Sequence, residues 1–469
     1  MSLGYHLPSL SILLFASLAL PISAFSSDVV TCEKYNSPNQ TQAEAELRTW
    51  VFDATSRTPI LRRLNFNHDR RFKKTVEYKI EDGFGGLAYD PATDIPQWIN
   101  TLLGKLESHY VETSKGKVHY LKAGNGPKVL IFFHGNPTWS FIWRNIIKIL
   151  DDLDPNEYTF IAPDLPNLGF SHSFPKPSIK DDLSQAVRYA EENASPAMSL
   201  FLDHLADTLE RDKASEDRRF KMENVSATMD EFIKTISAKL KDETGKSLEE
   251  NKDVTLVVQD WGGPIGFSTA VRNPTFYNKM VILNTGVGIP GELPDFQAKA
   301  HHWAAPLAQK QGFSQTTAKI AAKFGEQVGG LFGTPFTTRL GNVNYDKESI
   351  SGIISRAYEY PARYTDNLDM AVYFARMVPA TITDKTAALE SVPLFEKNTE
   401  YLRAFKGPIQ VVWGMEDGIL GPELEATVKG ILPDNTVYTK VLAGHFLQEE
   451  CPKEIAQAIR NVQTQEVAK

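Results

Sequence analysis

Apolar residues in this chain follow two periods that alternate along it. Short continuous apolar runs occur at Val118-His119-Tyr120-Leu121, Val129 to Phe133, Tyr158 to Ala162, Thr255 to Val258, Met280 to Leu283, Ile409 to Trp413 and Thr436 to Val441. A run of that kind, bounded by turn residues, suits a strand whose two faces are both covered. Helical spacing fills the intervals, as in Ile142 to Leu150. The alternation predicts an α/β fold with a mostly parallel central sheet flanked by helices. Val118 to Leu121 and Val129 to Phe133 lie too close for a helical crossover, so the sheet should start antiparallel.

Two long stretches interrupt the rhythm and set the expected organisation. Residues 286–395 read as helical ("QTTAKIAAKFGEQVGGLF", "DNLDMAVYFARMV") and have the size of a helical cap domain. Residues 176–252 are charged and helical, and one helix among them must be the crossover before the next strand; the remainder reads as an insertion. The core is then expected at 107–285 and 396–469, with residues 25–106 as an N-terminal extension. Its apolar stretch "IPQWINTLLGKL" is expected to lie on the body of the domain.

The N-terminus carries its own signal. Leu10 to Ala24, "LSILLFASLALPISA", is an uncharged apolar run ending in small residues, and it is too short to span a membrane. Residues 1–24 fit a secretory signal peptide, although no Lys or Arg precedes the run. A buried hydrophobic helix is the plain alternative. The Ala24-Phe25 junction also resembles the first part of a two-part plastid leader, but acidic residues (Asp28, Glu33, Glu44, Glu46) follow it. Cys32 and Cys451 lie near opposite ends of the chain. They are either one bridge, in an oxidising compartment, or two unrelated thiols. Sequons at Asn39, Asn193 and Asn224 fall outside the predicted core strands.

Composition narrows the function. The 469 residues carry a net charge of −8 that is spread out, with no basic block. Phosphate backbones require clustered Lys and Arg, so nucleic acid is excluded as an expected partner. Neither an internal repeat nor a second long apolar segment is present.

The segment "VVQDWGGPIG" places chemistry on this frame. A strand precedes Asp260 and Gly262-Gly263 open a helix, the setting in which hydrolases hold a nucleophile on a tight turn. A carboxylate there is ionised at neutral pH and attacks without help from a base. It suits displacement at an sp³ carbon, giving an alkyl-enzyme ester. Hydrolysis of that ester needs a histidine base, an acid to orient it, and donors for the oxyanion. Candidates follow in the order nucleophile, acid, histidine: Asp417 after "IQVVWG" and His445 after the next strand, in "LAGHFLQEE". "FFHGNPTWSFIWR" follows an early strand, so the backbone N–H groups of Asn136 and Trp261 are the expected oxyanion donors. Singly, an Asp after a strand is usually a turn residue and a lone His is usually structural; their joint order and context carry the reading.

"HGNPTWSFIWR", "VVQDWGGPIG", "GMEDGILGP" and "AGHFLQEE" together resemble the haloalkane dehalogenases of the α/β-hydrolase superfamily. "RTP" (57–59), "DRRF" (69–72), "RAYEYPARY" and "YFARMVP" add to the likeness, which covers roughly 107–175 and 253–469. The resemblance implies an α/β-hydrolase fold, Asp260 as nucleophile, His445 as base and Asp417 as its partner. It also implies the Trp261 indole and the Asn136 side-chain amide as halide donors. One branch of that family uses a cap tryptophan instead, for which Trp303 in "AHHWAAP" is the placed candidate. Adjacent His301 and His302 point apart, so no metal site is read there, and no cofactor is expected. Implied partners are a small hydrophobic organic substrate, water and a halide ion; oligomeric state is left open. Val258 departs from the small residue usual two positions before the nucleophile. Asn284, where another branch has a Glu acid, cannot serve as one, which favours Asp417. Asp164 in "APDLPNLGFS" reads as a loop-fixing residue.

Three other functions compete. An epoxide hydrolase shares the triad but needs cap tyrosines, for which Tyr358, Tyr360, Tyr364 and Tyr373 are available; Asn136 favours the dehalogenase. A ligand-binding protein on this scaffold is a different class, against which the intact triad argues. A light-emitting oxygenase is more remote.

Overall fold

The computed structural model describes residues 29–37, 39–47, 94–172, 222–287, 344–350, 352–364 and 387–465. The predicted leader (1–24), Trp303, His301, His302, Tyr373 and Asn193 lie outside them.

Strand β1 is Val29–Val30. A helical segment at 40–47 and α1 (Gln97–Leu103) precede the hairpin of β2 (Glu107–Thr113) and β3 (Gly116–Ala123). Then come β4 (Lys128–Phe133), a 3₁₀ turn (Ser140–Trp143), α2 (Arg144–Leu153), β5 (Tyr158–Pro163), α3 (Met222–Thr244), β6 (Val254–Val258), α4 (Gly262–Arg272) and β7 (Lys279–Leu283). The chain closes with α5 (Gly352–Tyr364), α6 (Ala387–Ala404), β8 (Ile409–Gly414), α7 (Pro422–Ile431), β9 (Val437–Val441), α8 (Leu447–Glu450) and α9 (Pro452–Thr464). Among the described residues the strands form one sheet, in the order β1-β9-β8-β7-β6-β4-β5-β3-β2. From β1 to β5 in that order every pair is parallel, and β3 joins β5 antiparallel.

Alternation along each strand explains why apolar runs were needed. In β4, Val129, Ile131 and Phe133 enter one core while Leu130 and Phe132 enter the other; β6, β7 and β8 divide in the same way. On the first face α3 supplies Val225, Met229, Phe232, Ile233, Ile236 and Leu240, an apolar stripe at helical spacing. On the second face α2, α9 and α1 supply Ile146, Leu150, Ile459, Val462, Trp98 and Leu102.

The sheet does start antiparallel, through β2 and β3 rather than through the two expected runs; β3 and β4 are separated by β5. β2 went unread because it is an edge strand, "ESHYVET", with mostly exposed or half-exposed side chains. The helix expected over Ile142 to Leu150 begins as a 3₁₀ turn, and its α-helical part runs from Arg144 to Leu153. Within the charged stretch 176–252 the crossover helix is α3, which packs on α4. "IPQWINTLLGKL" does lie on the body, burying Ile95, Trp98, Ile99, Leu102 and Leu103.

The extension reaches further than its sequence showed. β1 adds a parallel strand outside β9, with Leu442 N–H donating to Val30 C=O at 2.8 Å. Cys32 and Cys451 are joined in a disulfide, Cα atoms 5.3 Å apart, and Lys453 pairs with Glu33 at 2.6 Å.

Candidate active site

Four loops meet at the carboxyl ends of the parallel strands: those after β4, β6, β8 and β9. Open α/β sheets bind ligands at that edge. Asp260 sits between β6 and α4 with φ at 51°, a left-handed conformation costly for a residue with a Cβ. Its backbone is held from the end of β7. Asp260 N–H donates to Asn284 C=O at 2.8 Å, and Thr285 Oγ1 donates to Asp260 C=O at 2.5 Å. Gly135 and Gly262 allow the close approach. A side chain at Gly135 would collide with the Asp260 side chain, and one at Gly262 with the Phe133 carbonyl.

The carboxylate of Asp260 is divided between two neighbours. Asn136 N–H donates to Oδ1 at 2.7 Å, while Oδ2 faces His445 Nε2 at 3.5 Å. Behind the imidazole, Nδ1 lies 2.9 Å from Asp417 Oδ2. Asp417 is saturated: Oδ1 accepts the Ile419 and Leu420 N–H groups at 2.7 and 2.9 Å, and Oδ2 accepts Asn284 Nδ2 at 2.8 Å. These bonds fix Asp417 as an acceptor, and so His445 Nδ1 carries the proton.

Electrostatics follow from the burial of all three groups. Burial pulls His445 down, but the Asp417 charge, hydrogen bonds to Asp260 and Asp417, and the Asp260 charge override it and raise the imidazole to about 10. Burial pushes Asp417 up, and the His445 charge and hydrogen bonds to His445, Leu420 and Ile419 bring it below the ordinary range.

The structure thus brings together Asp260, His445, Asp417 and the backbone of Asn136. Trp261 caps α4 beside them, buried, with its ring edge-on to Phe395 at 6.4 Å between centroids. Asp164 binds His119 Nδ1 at 2.8 Å and accepts the Ser140 and Phe170 N–H groups, fixing two loops. Tyr358 is buried, and its hydroxyl donates to Glu449 Oε1 at 2.5 Å. Arg144 grips the same carboxylate at 2.5 and 2.8 Å.

Sequence reasoning missed the residues that hold the histidine loop. Gln259 Nε2 donates to His445 C=O at 3.1 Å, Asn344 Oδ1 accepts the Phe446 N–H at 3.0 Å, and Glu450 Oε2 accepts the Gly444 N–H at 2.7 Å. Gln259 was legible in principle, as a polar residue closing an apolar strand. Asn344 belongs to a segment far off in sequence and carried no signal. Among the described residues one cluster has metal-ligand types, Cys32, Cys451 and Glu454, and its two sulfurs are spent on the disulfide.

An elbow carboxylate after β6, an acid after β8 and a histidine after β9, all at one edge of this sheet, are the arrangement of an α/β-hydrolase, and the alpha/beta hydrolase fold family matches residues 128–452, more than half of the chain. The chain belongs to that family. The resemblance read from the four motifs recurs among its relatives. It is 23% identical over 367 residues to haloalkane dehalogenase 2 of Mycobacterium tuberculosis, covering 75% of this chain and 93% of that protein. It is 24% identical over 379 residues to a cis-3-alkyl-4-alkyloxetan-2-one decarboxylase of Shewanella oneidensis, covering 78% and 91%. A crystal structure of a haloalkane dehalogenase from Bradyrhizobium elkani superposes with a TM-score of 0.51 at 18% identity, covering 76% of this chain and 97% of that one.

Proposed function

We propose that this chain is a hydrolase that cleaves the carbon–halogen bond of a haloalkane through an ester on Asp260. The observation that carries the proposal is the division of the Asp260 carboxylate. Oδ1 is bound by the Asn136 N–H, leaving Oδ2 as the attacking oxygen, with His445 Nε2 beside it. Oδ2 bonds to the carbon as the halide departs with its electron pair. The Trp261 indole N–H and the Asn136 amide are the proposed halide donors, and they act most strongly as charge leaves carbon.

Ester formation removes the Asp260 charge, and with it two of the influences that raise His445. The imidazole then releases its extra proton to solvent and serves as base, drawing a proton from water that attacks the Asp260 carbonyl carbon. The oxyanion develops on Oδ1 against the Asn136 and Trp261 N–H groups. The imidazolium passes that proton to the departing alkoxy oxygen, alcohol leaves, and the acid formed on Asp260 gives up its proton so that the carboxylate returns. Nδ1 keeps its proton toward Asp417, whose charge stabilises the imidazolium formed in this step.

The likeness to an oxetanone decarboxylase supports a second reading. An oxetan-2-one carries an sp³ carbon bonded to a carboxylate leaving group. Asp260 could open the ring there, after which loss of CO₂ would expel Asp260 and leave an alkene. That route uses no water. The epoxide reading loses one of its four candidate tyrosines, since the Tyr358 hydroxyl is committed to Glu449. Supplying purified protein with 1-bromohexane and with a cis-3,4-dialkyloxetan-2-one separates the readings: bromide and alcohol support the first, alkene and CO₂ the second.

A further inference from the structure

We propose that Asn344 and Glu450 are positioning residues for His445, so that the loop at 344–350 sets the efficiency of ester hydrolysis. This rests on the two-step reading above. The residues on either side of His445 are both held by this arrangement. On one side Glu450 Oε2 accepts the Gly444 N–H, while its Oε1 accepts the Asp346 N–H at 2.5 Å. On the other, Asn344 Oδ1 accepts the Phe446 N–H at 3.0 Å. Phe446 stands edge-on to the imidazole, ring centroids 4.7 Å apart, so fixing its backbone fixes the wall against which His445 rests.

The orientation of the Asn344 amide is determined rather than free. Its Nδ2 donates to Ser349 Oγ at 2.7 Å, and that hydroxyl donates its own proton to Asp346 C=O at 2.7 Å. Ser349 Oγ can therefore only accept from Asn344, which turns Oδ1 toward Phe446. A flipped amide would set an NH₂ against an N–H donor. Asn344 is buried, as are His445 and Phe446, so water cannot replace the lost acceptor cheaply.

The loop leads into α5, which is tied to the same segment. Tyr358 binds Glu449, and Trp139 of the loop after β4 donates its indole N–H to Ala357 C=O at 3.1 Å. Residues 444–450 are thus hydrogen-bonded to 344–358 at Asn344, Asp346 and Tyr358. The first chemical step draws on Asp260 and the halide donors but not on His445 as base, whereas the second needs His445 Nε2 in register with a water and the Asp260 carbonyl carbon. A misplacement of about 1 Å in such a geometry costs on the order of 100-fold. Displacing the loop should therefore burden hydrolysis selectively.

The test uses the full chain with Asn344→Ala, Asn344→Asp and Glu450→Gln, and 1-bromohexane as probe. In Asn344→Ala the bromide burst should stay within about twofold of wild type, while steady-state release falls at least about tenfold and the Asp260 ester accumulates. Asn344→Asp keeps the accepting oxygen and should restore most of the rate. Glu450→Gln, which retains one accepting oxygen, should fall between and serves if Asn344→Ala does not fold. An arm without substrate follows the His445 imidazole by ¹⁵N NMR. Its resonances should move in Asn344→Ala and return in Asn344→Asp. A parallel fall in both steps, or folded variants with unchanged hydrolysis and unchanged imidazole resonances, overturns the inference. Should wild type yield neither bromide nor ester, the dehalogenase reading fails and the NMR arm alone decides the positioning role.

Discussion

Asn284 donates its Nδ2 proton to Asp417 Oδ2 at 2.8 Å, onto the oxygen that faces His445 Nδ1. Asn284 Oδ1 also accepts the Gly414 N–H at 2.7 Å, so one amide ties the end of β7 to the loop that carries the acid. Asn284→Ala should slow turnover about 10- to 100-fold by loosening Asp417 behind the imidazole. It should also cost about 1–3 kcal/mol, because the Gly414 N–H is left buried without its acceptor. Steady-state kinetics and urea unfolding read the two effects separately.

The pH behaviour of His445 gives a second expectation. Its imidazole titrates near 10 in the fold against an ordinary 6.5, so the folded state favours the charged form. The stabilisation is complete below pH 6.5 and disappears as pH rises toward 10. Asp260→Asn removes one of the two charges responsible. The titration of His445, followed by NMR, should shift downward in that variant, and alkaline unfolding should set in at lower pH. An unchanged titration would show that Asp260 does not act on the imidazole.

Tyr358 and Glu449 separate structural from chemical roles. Tyr358→Phe removes a buried hydrogen bond to a charged group and should cost about 1.5–3 kcal/mol. Glu449→Ala should cost more, about 3–5 kcal/mol, since Arg144 is left buried and unpaired. Folded Tyr358→Phe should keep halide-releasing activity. Loss of diol formation from an epoxide in that variant would instead point to the competing chemistry.

The bridge between Cys32 and Cys451 ties β1 to the C-terminal helices. Cys32→Ser should lower stability by about 2–4 kcal/mol, measured as a drop in Tm that reducing agent reproduces in wild type and not in the variant. Equal melting of wild type and variant would show that the bridge contributes nothing.

The strands were legible because β4, β6, β7 and β8 are buried on both faces and must be apolar throughout. β2 was not, since an edge strand can afford exposed polar side chains, and β1 is too short to show a pattern. Asp260, Asp417 and His445 were legible because each follows a strand, in the order nucleophile, acid, histidine that α/β-hydrolases use. Asn344 and Glu450 were not, because their work is to accept backbone N–H groups, and sequence does not record which loop will bring such a donor near. Asn284 was read only as a residue unable to act as the acid; its hydrogen bond to that acid needed coordinates.

The two-step reaction requires a covalent intermediate on Asp260. Attack by the Asp260 carboxylate needs no base, whereas release of the ester needs His445. The His445→Phe variant, exposed to 1-bromohexane, should therefore gain the mass of one hexyl group, and proteolysis should place it on Asp260. Asp260→Ala should gain nothing and release no bromide. A His445→Phe protein that remains unmodified, while wild type releases bromide from the same compound, would contradict the two-step reaction on Asp260.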